Sequence, residues 1–275
     1  MNIALLPDRA VLEISGEDRL AFLQGLISND VTKVRADQAI WAALLTPQGK
    51  WLADFFLIAT GDVLLLDVEA AQLAMLAQRL GRFRLRAKVA LRDASADWRV
   101  YAAWGEGAPP EGLTARDPRL PEAGWRVLAP AGLPTNASAE DYAAHRLALG
   151  LPDGSKDMEA EKSVLLEGGF DELNGISWTK GCYMGQELTA RTRYRGLVRK
   201  RLLPVDVEGP MPQPGTIVML GDKEAGEMRS GQAGRAVKVG AKAPSFVLPK
   251  IGGSWAISEE DFFSPLSGIF NDLRL

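Results

Sequence analysis

The sequence holds a single cysteine, Cys182, and a single histidine, His145, among 275 residues. One cysteine excludes an intrachain disulfide, and with it the small disulfide-stapled scaffolds of secreted proteins. One thiol and one imidazole also fall short of a four-ligand zinc or iron–sulfur site. A cluster held here would need ligands from a second chain or from a small-molecule thiol, and no resident metal site is expected. No apolar run approaches the ~18 residues of a membrane-spanning helix. The best candidate, 55–68, is interrupted by Gly61-Asp62 and Asp67. The opening residues Met1 to Asp8 offer neither a basic stretch nor a sufficient apolar core, so no signal peptide is expected. There is no internal repeat and no low-complexity tract. Together these absences predict a protein of the reducing cytoplasm with no membrane partner.

What is present is ordinary for a globular protein: 47% hydrophobic and 24% charged residues, with a net charge of −3. The length allows two or three small domains or one large one. Net acidity argues against nucleic acid as the main partner, although a local basic patch remains compatible with it.

A strand is expected at 10–14. A helix follows to about Leu26, with Ser15 or Gly16 as cap, Glu17 and Asp18 in its first turn, and Leu20, Leu23 and Leu26 on one face. Ile40 to Thr46 and Trp51 to Ile58 read as a hairpin about Pro47-Gln48-Gly49-Lys50, followed by a strand at 63–68. Leu73, Leu76 and Leu80 form the stripe of a helix over 69–80, which Gly81 should stop. Strands are expected at 87–92, 99–104 and 125–129, with a loop over 105–124. Ser138 and Asp141 resemble a capping box for a helix to about Gly150 that carries His145 as a packing or surface residue. Beyond Arg199, short strands at 202–207, 216–220 and 233–239 between Gly/Pro turns suggest a small β-barrel. The fold class is α+β.

The chemistry concentrates at Lys180-Gly181-Cys182-Tyr183-Met184-Gly185-Gln186-Glu187. A lone cysteine is commonly a buried apolar filler, but here its neighbours are polar, and Gly181 and Gly185 permit tight turns and close backbone approach. A helix starting near Gly185 would place Cys182 just before its positive end, favouring the thiolate as nucleophile, exchanger or metal ligand. Residues 178–201 hold seven basic residues, among them Lys180, Arg191, Arg193 and Arg195, against one acid, Glu187: a local balance of +6 in a chain of −3. Such a patch attracts carboxylates, phosphates or a nucleic-acid backbone, or is simply a solvated edge. A second basic run, Arg82, Arg84 and Arg86, alternates like one face of a strand. Glu167, in an apolar and glycine-rich setting, suits a carboxylate accepting two N–H bonds from a flat heterocycle, and on spacing alone is equally a surface glutamate.

These residues resemble the signature of the YgfZ-type folate-binding family, related to the aminomethyltransferase (T-protein) of the glycine cleavage system. The match extends to Ser15–Arg19 with Phe22 to Leu26 and Asn29-Asp30-Val31, to Leu44–Lys50 with Ala53-Asp54-Phe55, and to Glu167 through Lys180. The resemblance implies two interleaved ferredoxin-like modules and a C-terminal β-barrel around a folate pocket. Segments 1–39 and 130–197 would form the first module, 40–129 the second, and 198–275 the barrel. It implies assembly, maintenance or repair of iron–sulfur clusters, with tetrahydrofolate as ligand and iron–sulfur client or carrier proteins as partners; some members are linked to tRNA thiomodification. Carried over by position, Cys182 is the signature thiol, with Lys180, Gly181, Tyr183, Gly185, Gln186 and Glu187 beside it. Glu167 falls where a carboxylate holds the pterin edge, and Asn29 and Asp54 fall in pocket-facing segments. The Arg191–Arg195 patch suits the glutamate tail of a folate. The related transferases carry two adjacent acids where this chain has Ala53-Asp54. That departure weakens the alternative, a folate-dependent aminomethyl transfer using Asp54, because such chemistry needs a carboxylate near the reacting nitrogen.

Overall fold

A computed structural model describes residues 1–232 and 235–241 of the chain. Its strands are β1 (Asn2–Leu5), β2 (Arg9–Ser15), β3 (Ile40–Leu45), β4 (Trp51–Thr60), β5 (Val63–Glu69), β6 (Ala90–Asp93), β7 (Arg99–Trp104), β8 (Leu113–Arg116), β9 (Trp125–Ala129), β10 (Lys200–Asp206), β11 (Ile217–Leu220), β12 (Lys223–Gln232) and β13 (Arg235–Ala241). The helices are α1 (Arg19–Gln24), α2 (Leu73–Phe83), α3 (Ala139–Ala148) and α4 (Gln186–Tyr194). Three antiparallel sheets result, ordered β3-β4-β5-β2-β6, β1-β7-β9-β8 and β10-β13-β12-β11.

The period of two along β3 divides its side chains between two cores. Ile40, Ala42 and Leu44 pack with Phe55 and Leu57 of β4 and with Leu76 and Leu80 of α2. Trp41, Ala43 and Leu45 face the other way, with Phe56, Leu165, Phe170 and Tyr183. A register shift occurs where Leu44 pairs with Ala53 and Leu45 with Trp51. It leaves Leu52 in the first core and Trp51 in the second, as one extra residue in a strand must. With both faces covered, β3 is buried along its whole length. A third core joins the first two sheets through Val11, Ile58 and Leu65 on one side and Val100, Ala102 and Leu128 on the other.

Between these sheets lies a buried ionic cluster. Arg9 Nε donates to Asp67 at 2.6 Å, and Arg119 meets Asp117 through Nε at 3.0 Å and Nη2 at 2.8 Å. The Arg126 guanidinium lies 4.1 Å above the Phe56 ring. Unpaired, any of these charges would be costly in an apolar interior.

Several expectations need correction. Strands do not sort by the expected segments: β2 joins the sheet of β3–β5, and β7–β9 join β1. Outside the hairpins, pairings such as β1 with β7 and β2 with β6 are non-local, and nothing in a strand's own residues specifies such a neighbour. The first helix begins at Arg19, not after a Ser15 or Gly16 cap, and Leu20 is exposed. Gly81 does not stop α2, which runs on to Phe83. Residues 82–86 are a helix end and a turn, not a strand face. The strand expected at 87–92 spans only β6, and the 105–124 loop contains β8. The strands β1 and β12 were not anticipated. The capping box formed: Asp141 N donates to Ser138 Oγ and Ser138 N to Asp141 Oδ2. His145 stacks on Trp104 at 5.4 Å, as a packing residue. The barrel expected over 198–275 lies partly outside the described residues.

Candidate functional site

The cysteine motif occupies a loop, 178–185, that leads into α4. Backbone contacts with residues 25–28 hold it: Ser177 N donates to Ser28 O at 3.0 Å and Met184 N to Gly25 O at 3.0 Å. The Lys180 ammonium reaches across, donating to Ile27 O and Asn29 O at 2.7 Å each. Burial pulls its pKa down to about 8, with Asp30 pushing back. Lys180 also lies 5.2 Å from the centre of the Tyr183 ring. Tyr183 is buried and its hydroxyl is pushed up to about 12, with Thr189 beside it but outside hydrogen-bonding geometry.

Cys182 itself is exposed, so it is not the apolar filler that a lone cysteine commonly is. The two flanking glycines act differently. Gly185 has φ +81 and packs so closely that a Cβ on it would lie 2.6 Å from Thr46 O. Gly181 has φ +92 with nothing within 4 Å of such a Cβ. The close approach is therefore between Gly185 and this chain's own 46–49 turn, while Gly181 bends open backbone beside the thiol. Gln186 opens α4, and Glu187 and Arg191 pair one turn apart on its exposed side.

A chain of contacts runs from the loop into the interior. Lys180 is held by Asn29 O; Asn29 Nδ2 donates to Trp41 O at 2.8 Å; Trp41 Nε1 donates to Asp54 Oδ2 at 2.9 Å. Asn29 Nδ2 also donates to Asn174 O, and its Oδ1 accepts from Asp30 N, so its side chain is fully engaged. Trp41 stacks on Phe170 at 3.8 Å. The parity of β4 places Asp54 on the face of Phe56. Its Oδ1 is buried without a partner, and burial pushes its carboxyl up to about 6, against the pull of the Trp41 bond, Arg9 and Arg119. A Cβ on Gly154 would lie 4.0 Å from that oxygen, so the 153–155 turn covers it. Glu167, half-buried in the 3₁₀ turn Leu165–Gly168, accepts from Val164 N through Oε2 at 3.2 Å; its Oε1 makes no hydrogen bond among the described residues. Trp41 and Asn174 were missed in the sequence; only the alternation that puts Trp41 opposite Ile40 hinted at an inward role.

The basic patch is smaller than its count. Lys180 turns inward, Arg191 pairs with Glu187, Arg193 lies 4.1 Å over the Trp178 ring and 3.5 Å from Asp171, and Arg201 pairs with Glu172. Two of the compensating acids, Asp171 and Glu172, stand just upstream of the window, where a local sum does not register them.

Three comparisons place this geometry among known proteins. Residues 199–237 match the family model for the C-terminal β-barrel domain of CAF17. The chain is 37% identical over 229 residues to a protein of Mycosarcoma maydis named iron–sulfur cluster assembly factor IBA57 homolog, mitochondrial, covering 74% of this chain and 57% of that one. It is 34% identical over 265 residues to the mouse iron–sulfur cluster assembly factor IBA57, mitochondrial, covering 82% and 74%. The chain thus spans little more than half of the fungal relative. Its fold resembles the glycine cleavage aminomethyltransferase T of Bartonella henselae, with a TM-score of 0.71, 12% identity, and coverage of 95% of this chain and 86% of that one. The expected T-protein-like fold, α+β with a C-terminal barrel, is what these matches show. The expectation of a cytoplasmic protein is overturned, because these relatives are named mitochondrial. Absence of disulfides argues only for a reducing environment, and an address is read by receptors rather than written into a folded core.

Proposed function

The chain belongs to the IBA57 family of iron–sulfur cluster assembly factors, and on that premise we propose that it presents Cys182 to a partner protein as one ligand of a cluster in transit. The observation that carries this is an exposed thiol on an immobilised base: Cys182 is open to solvent while Lys180, Ser177 and Met184 pin the loop on both sides of it. A ligand held this way loses little freedom when it binds. Among the described residues no three His, Cys, Asp or Glu side chains converge on a metal position. One ligand from this chain and the others from a carrier or client is then the arrangement its donors support. The cluster is cargo, passed between partners.

The second part of the proposal is a tetrahydrofolate ligand. The free Glu167 Oε1 supports it, as an acceptor for one N–H of a pterin edge. The tail carboxylates would meet Arg195 more readily than Arg191, which Glu187 engages. Asn29 would act through its backbone, by holding Lys180. When bound, the folate would supply a one-carbon carrier or a redox-active ring; the chain's own residues would bind and orient it.

One observation favours a second reading, aminomethyl transfer: Asp54 carries a carboxyl near 6, suited to a general base. Its 4% exposure, and the 153–155 turn above it, oppose that role in this conformation.

The test is restoration of an iron–sulfur enzyme in a deletion strain. Wild type should restore it and Cys182→Ser should not. Full rescue by Cys182→Ser would remove the thiol role. Calorimetric titration with tetrahydrofolate, wild type against Glu167→Ala, tests the pocket: saturable binding lost in the variant supports it, and no binding by wild type removes it. Turnover of tetrahydrofolate with an amine donor, abolished in Asp54→Asn, would establish the transferase reading instead.

A further inference from the structure

A groove of about 370 Å³ opens between α1 and the turn that leaves α2. Phe22, Gly25 and Leu26 form one wall and residues 83–87 the other. The turn is unusual in three respects. Leu85 has φ +43, a left-handed conformation that non-glycine residues seldom adopt. It is 89% exposed, and the neighbouring Phe83 is 40% exposed. Arg84 and Arg86 flank it, exposed and with no ion pair among the described residues. Apolar side chains held out to water beside unneutralised cations mark a contact surface more than a solvated edge.

The groove also adjoins the cysteine loop. Gly25 lines it, and the Gly25 carbonyl accepts from Met184 N, two residues beyond Cys182. Anything seated in the groove is therefore beside the cluster-binding loop.

We propose that this groove is the docking site for an acidic segment of the partner protein, one that inserts an apolar side chain between Leu26 and Leu85 and sets its carboxylates against Arg84 and Arg86. The proposal deepens the assembly-factor reading by naming the surface on which the partner sits. The occupant is acidic because the cations at the rim lack counter-charges among the described residues. It is a polypeptide segment because an open groove with an apolar floor beside two separate cations matches one apolar side chain flanked by carboxylates.

The test uses the full chain and a short fluorescein-labelled peptide in which glutamates alternate with leucine and phenylalanine. Its counterpart with lysine for glutamate and vesicles of phosphatidylglycerol serve as comparators. Wild type should bind the acidic peptide saturably and more tightly than the basic one. Leu85→Ser and the double variant Arg84→Glu/Arg86→Glu should each weaken it about tenfold or more, while Cys182→Ser should leave it unchanged. All these positions are exposed, so circular dichroism should report an intact fold. Equal binding of both peptides, unchanged binding by the surface variants, or binding to vesicles without binding to the acidic peptide would each overturn the proposal. Restoration of an iron–sulfur enzyme in the deletion strain separates the two readings. If the surface variants restore activity fully and Cys182→Ser does not, the groove proposal falls and the thiol role stands. If the surface variants fail and Cys182→Ser succeeds, the groove stands and the thiol role falls.

Discussion

Gly185 and Gly49 meet backbone to backbone: a Cβ on Gly49 would lie 2.6 Å from Gly185 O, and one on Gly185 would lie 3.0 Å from Gly49 Cα. This contact seats the start of α4, and with it the cysteine loop, on the turn between β3 and β4. Gly185→Ala should therefore cost both left-handed strain and a backbone clash, about 3 kcal/mol or more. Gly181→Ala, with a similar φ but open space, should cost only the strain, about 1 kcal/mol. Chemical denaturation of the two variants checks the difference; equal losses would mean that the interlock contributes nothing.

Asp54 should make stability depend on pH. Its folded carboxyl sits near 6, above the ordinary value of 3.8. The folded state thus binds the proton more tightly, and the stability this contributes is complete below about 3.8 and lost as pH rises through about 6. Asp54→Asn keeps an acceptor for Trp41 and carries no charge. Relative to wild type it should gain on the order of 2 kcal/mol between pH 4 and pH 7.5. Denaturation midpoints of both proteins across that range report it, and parallel curves would refute it.

A buried polar knot helps tie the third sheet to the body of the molecule. Arg146 Nη1 donates to Asp157 Oδ2 at 2.9 Å and Nη2 to Ser230 Oγ at 2.8 Å, while Asp157 Oδ1 accepts from Ser230 N at 3.1 Å. Arg146→Met strands the buried Asp157 carboxylate and should cost about 3–5 kcal/mol. Ser230→Ala removes one hydroxyl and should cost about 1–2 kcal/mol. A larger loss for Ser230→Ala than for Arg146→Met in thermal melts would show that the ion pair is not the stronger tie.

Because Cys182 is exposed, an aromatic disulfide reagent should titrate one thiol per native chain, with the same amplitude as in denaturant. Cys182→Ser should change stability by no more than about 0.5 kcal/mol. A thiol that reacts only after unfolding would contradict the exposed placement.

The legible parts of the fold were those written in short-range pattern. Two apolar runs about the Pro47-Gln48-Gly49-Lys50 turn announced the hairpin, the Leu73/Leu76/Leu80 stripe announced α2, and Ser138 with Asp141 announced α3. The site was legible as a motif: the spacing from Lys180 to Glu187 marked the loop before its shape was known. Leu20 was misassigned because a stripe of three leucines fits a helix longer than the six residues α1 retains. Gly81 was misread as a stop because its helix-breaking cost, about 1 kcal/mol, is smaller than what burial of Leu76 and Leu80 returns.

By itself, the sequence determined that no intrachain disulfide and no self-contained thiolate cluster site could form, and that 40–58 would be a hairpin and 73–80 and 139–148 helices, because those follow from residue type, turn and cap signals and the helical period. Only the tertiary structure decided which strands pair, that Asp171 and Glu172 meet Arg193 and Arg201 of the basic patch, and that Lys180 points inward while Cys182 points out. These are matters of contact between residues far apart in the chain, and solvent exposure, pairing and charge neutralisation exist only once those residues have been brought together.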